Sequence, residues 1–130
     1  MPIEHDVQFN RNTFITQLQE NSGLLIVKFG ATWCGPCAKL NPYATKKMDE
    51  MLSLHPSLVR CITVDIDDSF DLYAHLKSRK VVKSIPSLLC YLVGNTTIYP
   101  DEVISTSDET EVGVFFDRCK MLLQEDVKIP

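Results

Sequence analysis

The chain has 130 residues, of which 45% are hydrophobic and 23% charged, and its formal net charge at pH 7 is −4. This length suits one domain, so we expect residues 1–130 to fold around a single apolar core. The acidic balance argues against a nucleic-acid partner, because such binding draws its affinity from clustered Lys and Arg. The basic clusters Lys46-Lys47 and Lys77–Lys83 are typical of a solvated helix face. No apolar run approaches the roughly 20 residues needed to span a membrane, and no membrane partner is expected.

The first half of the chain predicts alternating helices and strands. A continuous apolar run, interrupted only by Lys28, is typical of a strand buried on both faces. A later stretch with apolar residues at helical spacing contains Pro42, which predicts a kink because proline lacks an amide donor. The predicted elements are a helix over Asn10–Glu20, a strand over Leu24–Phe29, a helix over Cys34–Leu54 and a strand over Leu58–Ile66.

The second half predicts a third helix, a hairpin and a closing helix. The turn residues of Asp65–Ser69 supply an N-cap for a helix through Phe70 and Leu76. Strands over Ser87–Val93 and Thr96–Tyr99 are predicted around a Gly94-Asn95 turn. Thr106 and Glu109 form a predicted capping box for the last helix, which carries an apolar stripe from Val112 to Leu123. This order indicates an α/β domain with a central mixed sheet and helices on both faces.

The reactive part of the sequence stands between the buried strand and the long helix, where the chain reads Trp33-Cys34-Gly35-Pro36-Cys37. The first-turn amides of a helix lack partners and carry partial positive charge, so they stabilise a thiolate at Cys34. A spacing of three residues puts both sulfurs on one helix face within reach of a disulfide. Pro36 stiffens this first turn, and Gly35 leaves room for a substrate. We assign Cys34 as the nucleophile and Cys37 as the thiol that resolves a mixed disulfide.

A CxxC pair is also half of a common zinc site. The sequence lacks a second pair of zinc ligands, because the other cysteines are far apart and the three histidines form no paired motif. We therefore expect no metal and no cofactor. Packing as small hydrophobes is the favoured role for the three remaining cysteines, with a regulatory disulfide among them as the alternative. They are Cys61, Cys90 and Cys119.

The motif at 33–37 is identical to the active-site sequence of thioredoxin, and the resemblance to the thioredoxin family extends over most of the chain. It is carried further by Phe29, Ala31, Pro42, Val64–Asp67, Ile85-Pro86-Ser87 and Gly94. The resemblance implies the thioredoxin fold and a cis peptide bond before Pro86. It also implies a substrate groove formed by Trp33, the backbone of Ile85 and the Pro86 loop, and we add an apolar rim around Val103.

The same resemblance implies a thiol–disulfide oxidoreductase that reduces protein disulfides and receives electrons from a thioredoxin-reductase-like donor. We expect a monomer without cofactor. An odd number of cysteines and an N-terminus without an apolar secretory segment favour a reducing compartment, and we expect the cytoplasm. Two alternatives stay open: a disulfide oxidant or isomerase, and a binding module that uses the fold without its redox chemistry.

Lys28 is the main departure from the family, whose members have a buried acid at this position. A lysine in a buried strand is unfavourable unless it is paired, neutralised or able to reach water. It could extend to solvent, act as a base for Cys37, or stay charged beside Cys37. Our working hypothesis is the charged form, which would stabilise the Cys37 thiolate and make the protein more oxidising.

Overall fold

The computed structural model describes residues 2–126. Its elements in chain order are α1 (Arg11–Glu20), β1 (Leu24–Gly30), α2 (Gly35–Leu54), β2 (Val59–Asp65), α3 (Phe70–Ser78), β3 (Ser87–Leu92), β4 (Glu102–Ser105) and α4 (Glu109–Asp126). None of the helices in this part of the chain is long and apolar enough to cross a membrane.

The sheet is mixed, with the strand order β2-β1-β3-β4. β1 is parallel to β2 and antiparallel to β3, and β4 is antiparallel to β3. All residues of β1 are buried, which accounts for its nearly continuous apolar sequence. A parallel pair needs a crossover connection, and α2 supplies it. The predicted fold class is confirmed.

Helices cover both faces of the sheet. α2 and α4 pack on the face that carries Leu24 and Ile26 of β1. α1 and α3 pack on the opposite face with Leu25 and Val27. Because side chains alternate along a strand, Lys28 lies on the α2 side. The fold therefore directs the one charged side chain of β1 toward the helix that begins with the cysteine motif.

The N-terminal segment pairs with the outer edge of β2. The Glu4 amide donates to the Cys61 carbonyl at 3.0 Å, and the Glu4 carbonyl accepts from the Thr63 amide at 2.8 Å. The Val7 amide donates to the Thr63 carbonyl at 3.1 Å. These bonds hold the segment beside β2, a placement that its polar sequence does not predict.

The predicted second strand of the hairpin is wrong. Residues 96–99 form no strand, and the strand that pairs with β3 is β4 at Glu102–Ser105. Side chains satisfy the intervening backbone: Asn95 Nδ2 donates to the Tyr99 carbonyl at 2.8 Å, and Asp101 Oδ2 accepts from the Leu92 amide at 2.8 Å. These local side-chain bonds take the place of backbone hydrogen bonds between paired strands, so the strand that pairs with β3 begins only after Pro100.

Two predicted helix caps also differ from the structure. α4 begins at Glu109, and Asp108 rather than Thr106 caps it, because Asp108 Oδ1 accepts from the Thr110 amide at 2.8 Å. Ser69 occupies the N-cap position of α3 without capping it. Its hydroxyl instead accepts from the Phe9 amide at 2.9 Å and ties the N-terminal segment to α3.

Gly23, just before β1, is the glycine at which an added Cβ would come closest to neighbouring atoms. A Cβ there would overlap the Leu58 carbonyl oxygen and lie 2.9 Å from Leu58 Cβ. Gly23→Ala is therefore expected to lower the free energy of unfolding by about 2 kcal/mol, as overpacking does. Urea unfolding measures this change. Gly35→Ala is the matched control, because a Cβ at Gly35 has no neighbour within 4 Å; equal stability of the two variants would contradict the prediction.

Candidate active site

The cysteine pair lies where β1 passes into α2. Cys34 is the N-cap residue of α2 and Cys37 lies in its first turn, and the two are joined as a disulfide with their Cα atoms 5.2 Å apart. Cys34 Sγ accepts a hydrogen bond from the Cys37 amide at 3.2 Å. A thiolate at Cys34 would sit at the same amide and at the positive end of the helix dipole. The predicted position of the pair at a helix start is confirmed.

The residues between the cysteines leave one side of the site open. Pro36 lies in the first turn of α2, where the fixed backbone angle of proline suits the helix. Gly35 faces open space, since a Cβ built on it would meet nothing within 4 Å. A substrate can therefore approach over Gly35.

The Ile85-Pro86 loop lies at the same sheet edge as the disulfide. The β1–β3 register pairs Phe29 with Ser87, so the preceding Pro86 lies beside Gly30. Gly30 in turn lies next to Cys37, because a Cβ built on Gly30 would be 3.5 Å from Cys37 Sγ. The Ile85–Pro86 peptide bond is cis, as the resemblance implies.

The β3–β4 register identifies the strand residue that lies next to this loop. Ser87 pairs with Ser105, whereas Val103 pairs with Leu89, two residues further along β3 from Pro86. The residue of β4 at the active-site edge is therefore Ser105 and not the predicted Val103. The difference follows from the later start of β4.

Trp33 is an exposed aromatic residue beside the disulfide. The residue is 66% exposed and therefore does not pack in the core. The indole Nε1 donates to Asp67 Oδ2 at 2.8 Å, so the ring is held from the turn that follows β2. The sequence pattern predicts a turn at Asp67 but not this bond to Trp33. The position of Asp67 after a strand parallel to β1 was the available signal, because parallel strands end at the same sheet edge.

Lys28 does not extend to solvent: it is only 7% exposed. Its Nζ donates to Asn41 Oδ1 of α2 at 2.6 Å. Burial lowers the pKa of Lys28, and the nearby Asp6 carboxylate opposes that shift. The side chain lines a cavity of about 270 Å³ that Cys37 also lines. Lys28 and Cys37 thus line the same cavity.

The N-terminal segment closes this cavity on the side of β2. The Asp6 amide donates to Thr63 Oγ1 at 2.9 Å, and His5 Nδ1 lies 3.4 Å from the same oxygen. Both residues line the cavity together with Lys28. The sequence alone does not predict that His5, Asp6 and Thr63 meet here, because the pairing of residues 4–7 with β2 brings distant positions together; Asn41 reaches the cavity from α2.

The other three cysteines are free and buried in the core between the sheet and α4. Burial raises the pKa of Cys61, and burial together with the neighbouring Cys119 raises that of Cys90. Raised pKa values keep the thiols of Cys61 and Cys90 protonated and unreactive, which fits the predicted packing role. In residues 2–126, no group of three or more His, Cys, Asp or Glu side chains is arranged to hold a metal ion.

A cysteine pair at disulfide distance on this fold is the site of a thiol–disulfide oxidoreductase. The thioredoxin family model matches residues 5–114. A putative thioredoxin-4 of Dictyostelium discoideum is 33% identical over 109 residues, which cover 84% of this chain and 91% of that protein. The chain therefore belongs to the thioredoxin family.

Two further comparisons define how far the likeness reaches. A thioredoxin of Ophiophagus hannah is 36% identical over 70 residues, which span 54% of this chain and only 58% of that protein. Among solved structures, the thioredoxin of Trichomonas vaginalis superposes with a TM-score of 0.67 at 24% identity, covering 90% of this chain and 96% of that one. This structural likeness supports the fold.

Proposed function

We propose that this protein reduces disulfide bonds in protein substrates and is returned to its dithiol form by a thioredoxin-reductase-like donor. The observation that carries the proposal is the Cys34–Cys37 disulfide at the start of α2, with the Cys34 sulfur at the Cys37 amide. We also propose the cytoplasm as its compartment, since three of the five cysteines are free thiols in the core.

The reaction transfers two electrons in two exchanges. The Cys34 thiolate attacks one sulfur of the substrate disulfide, which forms a mixed disulfide and releases the other substrate sulfur as a thiolate. The Cys37 thiolate then attacks Cys34 Sγ, which releases the second substrate thiolate and forms the Cys34–Cys37 disulfide. The two substrate thiolates take up protons, and the donor supplies two electrons to restore the dithiol.

The substrate chain is proposed to cross the open side of the site. Trp33 offers an exposed aromatic face at one end, with its ring fixed by Asp67. The Ile85-Pro86 loop forms the other side at the sheet edge, where the backbone of Ile85 can pair with an extended peptide. Gly35 leaves the space between them unobstructed.

Insulin reduction with dithiothreitol as electron source tests the proposal. The wild-type protein is expected to accelerate precipitation of the insulin B chain, and Cys34→Ser is expected to fall to the dithiothreitol background because the attacking thiolate is lost. Circular dichroism of the variant serves as the control for folding. A Cys34→Ser variant as active as the wild type would contradict the proposal and support a binding module.

A disulfide oxidant or isomerase is the second candidate, and Lys28 beside Cys37 is the observation that favours it. A cation near the resolving thiolate stabilises the reduced form and raises the reduction potential. Equilibration of the protein with glutathione distinguishes the two functions. A potential near −270 mV indicates a reductase, whereas one near −120 mV indicates an oxidant, these being approximate values for thioredoxin and DsbA that serve as reference points.

A further inference from the structure

The basic cluster Lys77–Lys83 is not the helix face that its sequence predicts. α3 ends at Ser78, so three of its four basic residues lie in the connection to β3. The Val81 amide donates to the Leu76 carbonyl at 2.9 Å, and the Lys80 amide donates to the Lys77 carbonyl at 3.0 Å, which together form a Schellman motif. The connection is thus a built structure rather than a loose loop.

Lys80 occupies the left-handed position of this motif, with φ at +62°. Glycine adopts that conformation with less strain than any residue with a side chain, and the cost for a lysine is about 1 kcal/mol. Val81 and Val82, which follow, are buried in the core and anchor the connection. The exposed basic side chains therefore project from a fixed backbone.

The connection ends at the active-site edge of the sheet. The Lys83 amide donates to Ser105 Oγ at 3.4 Å, and Ser105 pairs with Ser87 at the start of β3. Lys83 is three residues before Pro86 in the substrate loop. Lys83 consequently borders the proposed groove on its β3–β4 side, and the other three basic residues lie further back along the chain, from the end of α3 onward.

The cations of the cluster have no carboxylate partner among the described residues, and Lys77 Nζ lies over the Tyr73 ring, 5.9 Å from its centroid. Ion pairs among the described residues join Arg11 to Asp71, Lys47 to Glu50, Arg60 to Glu4 and Arg118 to Glu102. None of them uses the four cations of the cluster, although the chain has a net charge of −4. These exposed cations are Lys77, Arg79, Lys80 and Lys83.

The sheet order separates charges of opposite sign across the disulfide. Asp65 ends β2, and Asp67 and Asp68 follow it on one side of the cysteine pair; the basic cluster precedes β3 on the other. A uniformly anionic nucleic-acid strand would be repelled on the β2 side. A protein substrate with acidic residues on one side only of its disulfide matches this pattern.

We propose that the Lys77–Lys83 cluster is a docking surface for an acidic segment that flanks the disulfide of a protein substrate. The inference rests on the proposed function, because the substrate must bring its disulfide to Cys34. The cluster would attract such substrates and orient them across the groove, with their acidic residues toward β3 and β4.

Two pairs of synthetic peptides with the same internal disulfide test the proposal. In each pair, one peptide carries three Glu residues on one flank of the disulfide and the other carries three Gln residues there. The first pair varies the N-terminal flank and the second pair the C-terminal flank. At low ionic strength the wild-type protein is expected to reduce the better Glu peptide with a kcat/KM at least about fivefold above that of its Gln partner, and the preference is expected to fade at about 0.5 M salt.

Lys80→Asn/Lys83→Gln should lose this preference while it still reduces the Gln peptide at the wild-type rate; asparagine is chosen because it tolerates the left-handed backbone. Lys46→Gln/Lys120→Gln removes the same charge elsewhere and should keep the preference. Three results would overturn the inference. The first is an equal kcat/KM for the Glu and Gln peptides, and the second is a preference that persists in the cluster variant. The third is inhibition of the wild-type protein, but not of the cluster variant, by a DNA oligonucleotide. If neither peptide is reduced, the proposed function itself fails.

Discussion

Replacement of Cys37 by serine is expected to stop turnover and to leave Cys34 joined to its substrate in a stable mixed disulfide. The variant keeps the backbone amide that stabilises the Cys34 sulfur, so the first attack survives. It loses the second thiol, whose Cα lies 5.2 Å from that of Cys34 and which therefore acts at a high effective concentration. Mass spectrometry of the variant mixed with a disulfide peptide should show an adduct that dithiothreitol releases.

The matched control is Cys34→Ser, which should form no adduct with the same peptide. The two cysteines are expected to differ because Cys34 is the N-cap residue of α2 next to Gly35, which faces open space, whereas Cys37 lies within the first turn next to Gly30. Adducts formed by Cys34→Ser through Cys37 would reverse the assignment. Wild-type turnover by Cys37→Ser would show that resolution does not need the second thiol.

The sequence predicts the β1–α2 unit well because its signals are local. The apolar run of β1 and the first turn with Pro36 each depend on residues close in sequence. The helix spacing of α2 is equally local. These features place Cys34 and Cys37 at a helix start without any knowledge of the sheet. The strand order and the position of Pro86 come from the resemblance, since no local pattern specifies which strands become neighbours.

The errors arise where side chains override backbone patterns or where distant segments meet. The predicted strand at 96–99 is displaced because Asn95 and Asp101 bond the loop backbone themselves. The cavity beside Cys37 could not be predicted, because His5 and Asp6 reach it only through pairing of the N-terminal segment with β2. The sequence did single out Lys28, but its bond to Asn41 required the structure.

The charged form of Lys28 stays our hypothesis, and the surroundings of its Nζ act on that charge in opposite directions. The Asn41 carbonyl oxygen accepts from its Nζ, and the Asp6 carboxylate favours the ammonium, although burial lowers the pKa of Lys28. An ammonium in the cavity that Cys37 also lines would stabilise the Cys37 thiolate and with it the reduced form. The cation is therefore expected to raise the reduction potential of this protein.

Lys28→Met, which keeps most of the side-chain volume and removes the charge, is expected to lower the reduction potential by about 30 mV or more at pH 7, a tenfold change in the equilibrium with glutathione. Lys46→Met removes a cation from the exposed face of α2 and should leave the potential unchanged. The difference between wild type and Lys28→Met should disappear as the pH rises through the pKa of Lys28, because the lysine then loses its charge. Burial places that transition below the ordinary lysine value of about 10.4. An unchanged or higher potential in Lys28→Met would show that the lysine does not stabilise the reduced form.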